Sequence, residues 1–165
     1  MSSKLFICTI LLFQGSLLFS QSTTNKIKLS FIKEVNADFV SIVDNLIDSE
    51  KKCEYYTDSL FFSISVMEYP ERLGKIYLEI ESCKDKSLIW HFKPLAFFKR
   101  NKHLFYVYNA IPKKLFLLMD NPIEFSYEKT ERTDDVITND DSFSHWIYLF
   151  YNNKFSLLSS FSWCE

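Results

Sequence analysis

The sequence predicts an α+β fold, an N-terminal amphipathic helix packed on a curved antiparallel β meander. Two changes of rhythm along the chain predict it. From Phe31 to Ile47 the apolar residues recur at helical spacing, and after Cys53 the period falls to two. A third observation limits the domain. Met1–Ser20 reads as a secretory signal peptide, which leaves 21–165 as a single mature α+β domain.

Lys4 gives this leader its positive start, Leu5 to Phe13 its apolar run, and Gly15, Ser16 and Ser20 the small residues of a cleavage region. Gln14 and Gly15 end the run before it reaches the length a bilayer demands. No later stretch is long and apolar enough to span, so no transmembrane segment is expected after cleavage. The mature chain is expected to be secreted or periplasmic, where disulfides are permitted.

The helix is expected near Ser30–Ser49. Phe31, Ile32, Val35, Phe39, Ile42, Val43, Leu46 and Ile47 form one apolar stripe, with Lys33, Asp38, Asp44 and Asp48 on the other face. Ser30 is the expected N-cap, and Lys51 and Lys52 suit the negative end of the helix dipole. A competing division places a short strand at Ile27–Phe31 and starts the helix at Asn36.

The strands follow from alternation. Leu60, Phe62, Ile64 and Val66 share one face, and Ile76, Leu78 and Ile80 share the next, with Tyr77, Glu79 and Glu81 between them. Leu88, Trp90 and Phe92 continue the pattern, and Pro94 marks an edge or a bulge. Lys99–Lys102 turns the chain between Leu95–Phe98 and Leu104–Tyr108. Leu115–Met119 and Ile123–Tyr127 are shorter strands. Lys129–Ser144 is a polar loop. Trp146–Tyr151 and Phe155–Phe161 flank Asn152-Asn153, whose tolerance of positive φ signals a hairpin.

Composition excludes more than it assigns. The net charge is −2 with both signs interspersed, so no nucleic-acid partner is expected. The chain has only 2 glycines, and Gly15 belongs to the leader. Phosphate-cradling loops, dinucleotide fingerprints and nucleophile elbows all need more, because backbone must approach a ligand or turn sharply without a Cβ in the way.

No catalytic, cofactor-binding or metal-binding residue is expected. His91 and His103 alternate out of apolar strands toward solvent. His145 abuts the acidic stretch containing Asp134, Asp135, Asp140 and Asp141, whose spacing does not match a calcium loop. Three cysteines follow the leader: Cys53, Cys83 and Cys164. If a strand leaves the helix exit and the next returns, Cys53 and Cys83 meet at one end of the sheet. A Cys53–Cys83 disulfide is therefore the pairing expected if one forms, with three unpaired thiols as the alternative.

Aromatic residues make up 18% of the chain. Tyr55, Tyr56, Tyr77, Tyr106, Tyr108, Tyr148 and Tyr151 cannot all fit one core, and tyrosine suits interfaces. The expected function is an exported, non-enzymatic binding or interaction module that meets a protein or a surface polymer. The alternative is a small hydrolase or ligand-binding protein with a pocket between helix and sheet.

Overall fold

The structure, a computed structural model, describes residues 24–68, 74–84, 93–128 and 142–162. The expected leader, the Tyr69–Arg72 turn and the Leu88–Phe92 strand lie outside the described residues. The chain runs β1 (Thr24–Val35), α1 (Ala37–Glu50), β2 (Phe61–Glu68), β3 (Ile76–Cys83), β4 (Ala96–Arg100), β5 (His103–Tyr108), β6 (Phe116–Leu118), β7 (Ile123–Glu128), β8 (Ser142–Tyr151) and β9 (Lys154–Ser162).

The expected fold class is corrected. The protein is mostly β, with one helix among the described residues, and its sheet is mixed rather than an antiparallel meander. The strand order is β6-β1-β4-β5-β2-β3-β8-β9, with β7 also paired to β1. The local antiparallel pairs β2–β3, β4–β5 and β8–β9 form as the alternation predicts. They are then joined out of sequence. β5 lies parallel to β2, and β4 lies parallel to β1.

The helix is not N-terminal either, because a long strand precedes it. Ile27, Leu29 and Phe31 alternate onto one face of β1, as a strand requires. A register irregularity between Ile32 and Glu34 then resets the pleat. It leaves Ile32 and Val35 three residues apart and facing the helix, a spacing that imitates a helical turn. Ser30 is thus a strand residue, paired with Ala96. Asn36 caps the helix, and its side-chain oxygen accepts from the Asp38 and Phe39 amides at 3.0 and 3.2 Å.

The buried face of α1 carries Phe39, Val43, Leu46 and Ile47. They pack on Phe62, Ile64, Val66, Leu78, Ile80, Phe105, Val107, Trp146 and Phe150, which the pleat turns to the same side. Phe39 fixes the shape of the whole. Its ring meets Phe116 of β6 at 5.8 Å and Phe155 of β9 at 5.5 Å. β6 and β9 are opposite ends of the strand order, so the sheet curls around the helix as a half-barrel. Asp44 and Arg100 tie the helix to the end of β4. Arg100 Nε donates to one carboxylate oxygen at 2.7 Å and a terminal nitrogen to the other at 2.5 Å. This paired hydrogen bond is the main force holding the Asp44 carboxyl below the usual carboxylate range.

His103 is corrected from solvent to core, at 1% exposure. It tolerates burial because both ring nitrogens are satisfied, by the Leu60 carbonyl at 2.8 Å and the Tyr56 hydroxyl at 2.9 Å. Pro94 precedes β4 and therefore occupies no rung of the ladder, so this strand lies inside the sheet and not at its edge. Asn152 and Asn153 turn the last hairpin at φ 50° and 59°.

Glu50 ends the helix at 2% exposure. Its Oε1 has no hydrogen-bond partner among the described residues. Burial pushes the carboxyl up, and hydrogen bonds from Ser144 and Ser82 only partly offset this.

Two outcomes are expected. Phe39→Ala removes the ring that joins both ends of the sheet and costs about 3–5 kcal/mol in chemical denaturation; a loss under about 1 kcal/mol would mean that the curl does not depend on it. Glu50→Gln removes a charge that is unfavourable when buried. A raised folded value makes the carboxyl's stabilising contribution complete in acid and lost as pH rises through that value. Glu50→Gln should therefore stabilise by about 1–2 kcal/mol at pH 7, with the gain vanishing toward pH 4. Equal stability at pH 7 would contradict this account.

Candidate functional site

The pleat that sends Ile64, Leu78, Ile80 and Trp146 to the helix sends their neighbours to the opposite face. There a second apolar cluster forms from Leu29, Phe61, Cys83, Phe97, Tyr106 and Tyr108, with Phe31 and Phe125 against it. Tyr106 and Tyr108 thus pack on the second sheet face. Tyr55 and Tyr151 are exposed.

Beside this cluster the same face turns polar. Ser63 and Ser65 of β2 and Glu79 and Glu81 of β3 line a cavity of about 230 Å³, closed by Phe61, Cys83, Tyr108 and Asn109. Asn109 follows β5 at φ 68°, and its side-chain amide donates to the Ser65 hydroxyl at 2.8 Å. Ser63 lies within weak hydrogen-bonding reach of Glu81, at 3.5 Å. Burial pushes the Tyr108 phenol up, and Cys83, Tyr106 and Glu81 add to the shift, so it remains a neutral hydroxyl. No lysine or arginine appears among the described residues lining the cavity.

β8 completes the site. His145 stands opposite Glu81 in the β3–β8 register, and its Nε2 lies 2.8 Å from Glu79 Oε1. One ligand atom from each of Glu79, Glu81 and His145 falls within 4.8 Å of the others. All three side chains are half-buried.

The sequence places Glu79 and Glu81 on a strand but does not bring His145 to them. Glu79 and Glu81 visibly share one face of a strand. That His145 faces them follows only from the pairing of β3 with β8, which no local signal encodes. His145 was expected beside the acidic stretch instead; Asp134, Asp135, Asp140 and Asp141 lie outside the described residues, as does His91. The space between helix and sheet, the expected place for a pocket, is filled by the main core. A shallow groove lies beside it, between α1 and the β8–β9 hairpin, lined by Asp38, Ile42, Tyr148 and Phe155 among others.

Cys83 pairs in register with Phe61, so it does return to the end of the sheet where β2 begins. The pleat sends it to the face away from the helix, against the second cluster. Cys53 belongs to the helix layer, its Sγ 3.8 Å from the Ser49 carbonyl. Among the described residues no helix is long and apolar enough to cross a membrane. No family model, curated protein or solved structure matches this chain.

The expected Cys53–Cys83 disulfide is not formed in this structure: Cys53 is disulfide-bonded, whereas Cys83 keeps its thiol, 3.9 Å from the Glu81 carbonyl. Non-reducing peptide mapping should recover Cys53 and Cys83 in separate peptides; a peptide joining the two would contradict this placement.

Proposed function

We propose that the mature chain is an exported, non-enzymatic binding domain that holds a small cationic group in the cavity on the far face of its sheet. One observation carries this reading. Glu79 and Glu81 line a half-open cavity in which no described lining residue is basic. Carboxylates gathered at a low-dielectric wall attract a cation more strongly than the same groups on open surface. Phe61 and Tyr108 add aromatic surface suited to an ammonium ion. The Ser63, Ser65 and Asn109 side chains provide neutral acceptors for its N–H groups.

Binding fits this site better than hydrolysis. Ser63 approaches Glu81 while His145 holds Glu79, so these contacts do not link a serine to a histidine base. Export rests on the charge, apolar run and small residues of Met1–Ser20. A protein partner is the second reading, favoured by β9. From Phe155 to Ser162 that strand carries no charge, and it exposes Leu157 and Leu158 by 52% and 53%. Under that reading Leu157→Lys removes partner binding and changes in the cavity leave it intact.

Calorimetric titration of the mature protein with 1,4-diaminobutane and ethylammonium, with acetate as control, tests the cation reading. Saturable binding of an amine is expected, weakened about tenfold or more (about 1.4 kcal/mol) in Glu79→Gln/Glu81→Gln. Failure of both amines to bind, or equal binding by the double variant, would set it aside.

A further inference from the structure

The geometry points to a divalent transition-metal site at Glu79, Glu81 and His145, with zinc the best-suited ion. This rests on the reading of the cavity as a cation site and adds a metal ion at the edge where His145 meets it. The three groups come from two adjacent strands whose register is set along their length, so the backbone already brings them together. Glu79 and Glu81 are two residues apart on one strand face and repel each other. The imidazole of His145 bonds Glu79 at 2.8 Å, and no lysine or arginine is among the described residues lining the cavity. Two carboxylates and one imidazole nitrogen thus converge on one point, and a divalent ion satisfies all three.

The donor set also selects the ion. Carboxylates alone favour calcium or magnesium, whereas an imidazole beside them favours zinc and its neighbours. Around a tetrahedral zinc with bonds of about 2.1 Å, ligand atoms lie about 3.4 Å apart. The three donors here fall within 4.8 Å. Rotation of two half-buried carboxylates about their own side-chain bonds spans the difference. His145 would bind through Nε2, the nitrogen now directed at Glu79. Three protein ligands leave a fourth position, and the cavity that Glu79 and Glu81 line provides room for it.

The test uses the mature protein, freed of metal by chelation and then titrated with zinc chloride. One zinc per chain is expected, with the His145 ring resonances shifting as the ion is added. His145→Ala should weaken binding at least about tenfold, since even groups that merely orient a ligand contribute that much. Binding should also weaken on acidification, because imidazole and carboxylates must be deprotonated to ligate. Should His145→Ala fold poorly, Glu81→Gln and the ring resonances of the unaltered protein give the same answer. Zinc binding that leaves those resonances unmoved, or that survives both variants, overturns the site. Amine binding that persists in His145→Ala while zinc fails to bind would overturn the metal and leave the cation reading standing.

Discussion

The Phe39 ring is the constraint on which the rest of the architecture depends. A 14-residue helix is narrow against the sheet it has to cover. The sheet solves this by curling until its opposite ends both reach the same side chain. Everything between them then shares one continuous core, from Ile32 and Phe116 on one side to Trp146, Phe150 and Phe155 on the other. Stacked rings stiffen its middle. Phe105 lies between Phe62 and Phe98, at 4.5 and 4.8 Å.

That curl is also what makes a site on the far face. Each strand shows alternate residues to each side, so the register that aligns Ile80 with Trp146 over the helix aligns Glu81 with His145 beneath it. Packing on one face thus sets the geometry of the other. The same alternation places a hydrophobic patch next to the polar one. Tyr108 and Phe61 belong at once to the second core and to the wall of the cavity. A cation there meets carboxylates positioned by a rigid sheet rather than by loops, which holds the donor spacing more firmly.

What the sequence revealed was local. The Asn152-Asn153 turn, the Lys99–Lys102 turn and the alternation from Leu60 to Ile80 each depend on neighbouring residues, and each hairpin formed. The division starting the helix at Asn36 also proved the right one, for the side chain there is the cap. The failures have two origins. A bulge in β1 let Ile32 and Val35 imitate a helical repeat, and the parallel pairing of β1 with β4 and of β2 with β5 joins residues far apart in the chain. His103 read as solvent-facing because the acceptor and donor that satisfy it, at Leu60 and Tyr56, come from another segment. The candidate site needed the same distant knowledge: two of its three members were visible on one face, and the third was not.

The placement of β1 bears on the order in which the molecule comes together. Ser30 pairs with Ala96, Leu29 with Ile123 and Lys26 with Ser126, so the first strand has nothing to pair with until much of the chain is present. Closing such long loops before any contact rewards them slows folding. The β2–β3 hairpin can form early, but the half-barrel cannot shut without its N-terminal strand. A nascent chain would therefore carry its first strand unpaired until Ala96 and Ile123 have been made, and would lock only afterwards.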